Sequence, residues 1–345
     1  LIEILMTTKE TDLFEDYATV PVPSHIRVKG YRIAFINCGI AFSLAGLILG
    51  VELAGSMGLA DSSIAFIIGG LILATIATIT GYIGVKIRMT SYMIVRYAFG
   101  SLGAKFINLC SAIALFGWFG INASLFSEAS AELWLTLTGI YLPQWLFTVT
   151  GGLLMTSAAI LGFRSINFLS FILVPAQVLV FLWLTKLTLS GTGIEELLKI
   201  EPSGGVTMGQ GITAVVGSWI AGAVNQPDQT RYGTTLADST MAAAVPFLFA
   251  ATFVYVVAAM AALWSGETDL LKMMTALGMG AAVFIFVLFS SWITNAINLY
   301  GCSLSINSIF ENLKEWHIVI ASGFFGTVMA LMGIMDYFIN FVYLL

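Results

Sequence analysis

From Tyr31 onward, apolar stretches of about 20 residues follow one another with few charges inside them, and that is the length a helix needs to cross a membrane. Ten candidate spans can be marked: 31–55, 63–85, 104–131, 143–162, 166–190, 209–226, 240–264, 275–300, 301–312 and 318–345. The segment 301–312 either stands alone or prolongs the span before it. In the second case 318–335 is the ninth span and 336–345 begins a tenth. Composition agrees: 59% of the 345 residues are hydrophobic and 10% charged, against about 25% charged in soluble domains. The chain is read as an all-α polytopic membrane protein, with residues 1–29 as a polar tail and 30–345 as a single transmembrane domain.

The net charge of −5 says little, because so few charges are present. No basic patch suggests nucleic acid. Cys38, Cys110 and Cys302 show no spacing of a metal site or disulfide framework. No cleavable signal peptide precedes the first span, and Met6 fits a true start. With the N-terminus inside, eleven of the fourteen Lys and Arg residues fall on the cytoplasmic side, which supports that orientation in a cell membrane. The two histidines, His25 and His317, lie in inner loops, so no catalytic constellation sits at membrane depth and an enzyme is not expected.

Polar groups inside such spans are costly in lipid and point to function. The stretch from Gly217 to Gly233 starts apolar, then carries Gly217, Gly222 and Pro227 among Ser218, Asn225, Gln226, Asp228 and Arg231. A Gly/Pro-interrupted apolar segment marks a transporter's binding site, so Gly217–Ala223 is expected to unwind. In the first span, Phe42-Ser43-Leu44-Ala45-Gly46 is where a discontinuous helix would open, and Glu52 follows near its outer end. Its glycines, Gly39, Gly46, Gly50 and Gly55, suit close helix packing. In the third span, Trp118 and Asn122 are four apart and share a helix face. A flat ring beside an amide suits a planar, hydrogen-bonding ligand. In the eighth, Ser290, Ser291, Thr294, Asn295 and Asn298 should face the bundle interior, with Asn295 and Asn298 on one face.

Taken together, Gly81-Tyr82-Ile83-Gly84-Val85-Lys86, Arg96-Tyr97-Ala98-Phe99-Gly100, Gly117-Trp118-Phe119-Gly120, Ala214–Ile220, Asp228-Gln229-Thr230-Arg231-Tyr232 and Thr294-Asn295 with Leu299-Tyr300 resemble the nucleobase:cation symporter family, most of all its bacterial cytosine/purine permeases. The resemblance runs from Pro21 to about Ala330. It implies an inverted five-plus-five helix repeat with helices one and six broken, substrate between helices one, three, six and eight, and twelve helices in all, of which this chain holds about ten and is truncated at its C-terminal end. It implies import of a nucleobase such as cytosine, cation-coupled, by alternating access; a hydantoin/allantoin-type or an amino-acid permease of the same architecture is the alternative.

Carried over residue by residue, the resemblance implies substrate contacts at Trp118, Asn122, Trp219 with its neighbour Ser218, and Asn295, with the base stacked between the two tryptophans; Phe42 and Asn298, read from their own stretches, complete the expected substrate contacts. It implies a cation site at Gly39, Phe42, Ser291 and Thr294, and gating or bracing by Asp228 and Arg231. Leu115 stands where cytosine permeases carry a glutamine, and Ile293 stands where the usual sodium site has a second hydroxyl. No cofactor is expected beyond a coupling ion, sodium or a proton, the latter through Glu52 or Asp228. The partners are then a small nucleobase-like substrate and the lipid bilayer, with the oligomeric state open.

Overall fold

A straight helix over the 44 residues Leu44–Ile87 would be about 66 Å long, twice the thickness of a hydrocarbon layer. A glycine corner divides it. The protein is seen here in a computed structural model that describes residues 17, 19–42, 44–268, 272–273, 278–279 and 281–337. Ser43, Met6 and the end of the chain from 338 lie outside the described residues. Helix α1 is Gly30–Ala41 and α2 is Leu44–Ile87. Inside α2, Gly58 has φ 79°, a conformation glycine adopts without a Cβ penalty, so two helices meet there. The N–H of Ser203 donates to the Gly55 carbonyl at 2.8 Å and holds the corner from outside.

Helix α3 is Ser91–Thr138, with a second corner at Gly100, φ 68°. The Thr90 side chain caps its start, and left-handed Gly139 ends it, donating to the Leu135 carbonyl. Helices α4 (Gln144–Ile160), α5 (Gly162–Gly191) and the short α6 (Ile194–Leu197) follow. A capping box of Thr207 and Gln210 starts α7, Met208–Val224. Next come α8 (Pro227–Thr230) and α9 (Leu236–Ala243). A π-helical turn, Ala244–Ala250, leads into α10 (Ala251–Ser265). The last two are α11, Ala281–Ile309, and α12, Glu315–Leu331. Among the described residues all regular structure is helical.

The segment 301–312 is no separate span, because α11 runs through Gly301 to Ile309. The expectation that Gly217–Ala223 unwinds is corrected: those residues are helical within α7, and the last rung joins the Asn225 N–H to the Ala221 carbonyl at 2.9 Å. The interruption lies at Asn225 and Gln226 because Pro227 has no N–H to continue the ladder, and Pro227 opens α8 instead. At the other break, α1 closes on Phe42, which has φ −81° and ψ 24°, and the helix resumes at Leu44.

Five helical stretches are long and apolar enough to cross a membrane: Gly46–Ile87, Ser91–Thr138, Ser165–Gly191, Leu236–Ser265 and Ile285–Ile309. Ile67, Leu71, Ile79, Phe106 and Leu179 stand exposed on them, as lipid-facing side chains do.

The helices pack as two groups. In one, α2 lies along α7, α9 and α10, with α1 against α9. In the other, α3 lies along α11, and α12 packs on α4 and α3. Helix α5 touches α1, α10 and α11 and so bridges the groups. A Cβ added at Gly50 would sit 2.6 Å from the Tyr255 carbonyl oxygen on α10, whereas one at Gly55 would meet nothing within 4 Å. Gly50→Val is therefore expected to cost about 1–3 kcal/mol through overpacking, read as a lower unfolding temperature in detergent, while Gly55→Ala stays at or above the parent value. Equal melting of the two variants would refute the close approach of α2 and α10.

Candidate substrate site

Polar side chains inside an apolar bundle must find one another or line a cavity. Here they do both. A cavity of about 150 Å³ lies where α1, α3, α7 and α11 meet. Trp118 and Asn122 enter it from α3, Ser218 and Trp219 from α7, Thr294 and Asn298 from α11, and Asn37 from α1. Asn225, Gln226, Asp228 and Gln229, at and after the interruption behind α7, complete the wall with Phe247 and Tyr300. The Trp219 ring meets Phe247 edge-on, with centroids 5.0 Å apart at 83°, which fixes the plane of the indole. Pockets for drug-sized ligands run to about 300–1,000 Å³; this one suits a single small ring system.

A larger cavity of about 630 Å³ opens between the Gly100 corner of α3 and the end of α11. Its rim carries the half-exposed ion pair Arg96–Glu311, 2.7 Å. It shares Tyr92 with the central cavity. The smaller cavity is taken as the site because the buried amides and the two tryptophans converge on it.

Several expected site residues stand elsewhere. Phe42 turns its ring into the core against Phe181, with centroids 5.3 Å apart, and is not among the lining residues. Asn295 is fully buried behind the wall, donating to the Phe119 carbonyl at 2.9 Å. It accepts from Asn298 at 3.3 Å, so it supports a lining residue rather than lining the cavity. Glu52 is exposed and away from the cavity.

Asn37 and Gln226 were not foreseen as site residues. They bond to each other at 3.1 Å and both donate to the Ala242 carbonyl. The signal for Asn37 was one amide within Ile36-Asn37-Cys38, an otherwise apolar run.

Of the expected cation residues, Gly39 and Phe42 lie at the end of α1, and Ser291 and Thr294 lie on α11. A helix end leaves carbonyls without intrahelical partners, and α1 ends at Ala41. The Ser291 and Thr294 hydroxyl oxygens are buried without a hydrogen-bond partner, which fits an oxygen-seeking cation. Two features work against a full ligand set. Ser290 Oγ already donates to the Phe42 carbonyl at 3.0 Å, and Ile293 is packed against Gly39.

In the wall, Asp228 Oδ1 accepts from both the N–H and the hydroxyl of Ser91, at 2.8 and 2.7 Å. Arg231 is fully buried. Its guanidinium donates to the Tyr17 carbonyl at 2.6 Å, the Tyr300 hydroxyl at 2.7 Å and the Tyr232 hydroxyl at 3.2 Å. Arg231 thus joins the N-terminal segment, α8 and α11.

A cytosine permease of Escherichia coli strain K12 is 26% identical over 317 residues, covering 92% of this chain and 74% of the permease. Mhp1, a nucleobase-cation-symport-1 family transporter solved in a closed conformation with bromovinylhydantoin bound, superposes with a TM-score of 0.85 at 20% identity, covering 96% of this chain and 78% of Mhp1. Its inward-facing conformation gives 0.81 at 20% identity, covering 98% and 77%. At that identity the likeness shows a shared fold. The family described as permease for cytosine/purines, uracil, thiamine, allantoin matches residues 21–345. The chain is a multi-pass membrane protein of that permease family.

Proposed function

We propose that the protein is a secondary transporter that binds a small planar nucleobase in the central cavity and carries it across a cell membrane with a coupling cation. The observation that carries this reading is the meeting of Trp118 and Trp219 with Asn37, Asn122 and Asn298 in one small cavity. The rings offer flat apolar faces and the amides read the edge. Alternating access follows from rocking of the two helix groups about the site, with the N-terminus cytoplasmic by the distribution of Lys and Arg. No Lys, Arg or His lines the cavity, so no side chain there offers a positive charge to an amino-acid carboxylate.

Uptake of radiolabelled bases by cells expressing the protein tests the reading. Saturable uptake that competes with other bases and not with amino acids is expected; competition by amino acids alone would overturn it.

For the coupling cation, the unpartnered Ser291 and Thr294 hydroxyls and the carbonyls at Gly39 and Phe42 are the groups on offer. Uptake under imposed sodium or proton gradients identifies the ion. If sodium binds here, Thr294→Val removes one oxygen ligand and is expected to raise the half-saturating sodium concentration about tenfold. An unchanged sodium response would place the ion elsewhere.

A further inference from the structure

Gln177 stands near the middle of the span Ser165–Gly191, the depth farthest from water. It is 1% exposed, and neither its Oε1 nor its Nε2 has a hydrogen-bond partner among the described residues. Native interiors pair nearly all of their buried polar groups, and an amide with both ends idle is where an ion or a water belongs.

Ring and packing contacts fix the level of this amide. Helix α5 runs in the same direction as α1. Phe171 stacks on Phe35 with centroids 5.2 Å apart, and Phe181 meets Phe42 at 5.3 Å. Between them, a Cβ on Gly39 would stand 3.5 Å from Val174. Helix α11 runs the other way. The same Cβ would stand 2.5 Å from Ile293, Ser290 donates to the Phe42 carbonyl, and Phe286 meets Phe181 edge-on at 5.3 Å. Gln177 follows Val174 by three residues and precedes Phe181 by four, so it shares their helix face. It therefore lies at the level where α1 ends, between Gly39 and Phe42, opposite the stretch of α11 that carries Ser290 and Ser291.

Other oxygens without partners gather at this break. The Ser291 and Thr294 hydroxyls are buried and unbonded among the described residues, and a helix end leaves carbonyls open. We infer that Gln177 is a ligand of the coupling cation, its Oε1 supplying from α5 the oxygen that Ile293, packed on Gly39, cannot supply from α11. An amide oxygen suits a hard cation as a main-chain carbonyl does. The NH2 end is then left for the open carbonyls of α1. Helix α5 bridges the two helix groups, so a cation held by α1, α5 and α11 ties both groups to one point. The inference rests on the cation reading above.

The test is thermal unfolding of the purified full chain in detergent, with sodium exchanged for choline at constant ionic strength. Sodium is expected to raise the unfolding temperature of the parent in a saturable way. Gln177→Met keeps the volume and loses the oxygen, and its half-saturating sodium concentration is expected to be at least about tenfold higher. In choline the same variant is expected to melt at or above the parent, because an idle amide has left the core. A parent-like sodium response in Gln177→Met overturns the inference, and the cation reading still stands if Thr294→Val weakens that response. No sodium response in the parent removes both. If Gln177→Met does not fold, Gln177→Glu answers instead. It keeps the oxygen and adds a charge, so half-saturation is expected at a lower sodium concentration than in the parent, and an unchanged or higher value overturns the inference.

Discussion

Replacing Arg231 by methionine is expected to lower stability by about 3–5 kcal/mol and to abolish uptake. The side chain is fully buried, and a guanidinium never sheds its charge in a protein. It holds the Tyr17 carbonyl and the Tyr300 and Tyr232 hydroxyls, and its charge also acts on the buried Asp228 carboxylate. Methionine fills similar space but leaves that carboxylate without its cation, and stranding a buried charge costs about this much. The unfolding temperature in detergent measures it. A parent-like melting curve would show that the buried charge is not a brace.

Tyr300→Phe separates bracing from gating. It removes one hydroxyl from a residue that both lines the cavity and meets Arg231. Base binding is expected to stay within about threefold, since one neutral hydrogen bond contributes little net, while the maximal uptake rate changes. An unchanged rate would leave Arg231 a structural residue alone.

Trp118→Ala is expected to weaken base binding about 10- to 100-fold, because stacking of a base on an aromatic ring contributes about 1–3 kcal/mol. Trp118→Phe should recover most of it. Trp219→Ala adds a second loss, since the indole also packs edge-on against Phe247. Binding measured on purified protein separates these effects from expression. Parent-like binding in both alanine variants would remove the tryptophans from the site.

Much of this arrangement could be read from the chain. Trp118 and Asn122 stand four apart, a step that returns almost to the same helix face, and both line the cavity. Three-residue spacing misleads by comparison. Asn295 and Asn298 are turned about 60° from each other on a helix of 3.6 residues per turn, enough to aim one at the Phe119 carbonyl and the other at the cavity. Asn37 gave no periodic signal, because its meaning depends on Gln226 and Ala242, about two hundred residues away in the chain. The sequence does not locate the α7 interruption, because Gly217 and Gly222 carry the same outward signal as Pro227. Glycine weakens a helix, whereas proline removes a rung outright.

The carbonyls of Trp118, Phe119 and Ala242 that orient Asn122, Asn295 and Asn37 belong to the backbone, not to any side chain. They are inherited with the fold whatever residues occupy those positions. A descendant of this protein that exchanges one of these amides for another still meets the same acceptor there, and the NH2 group keeps its orientation. To reverse it, the backbone itself must move.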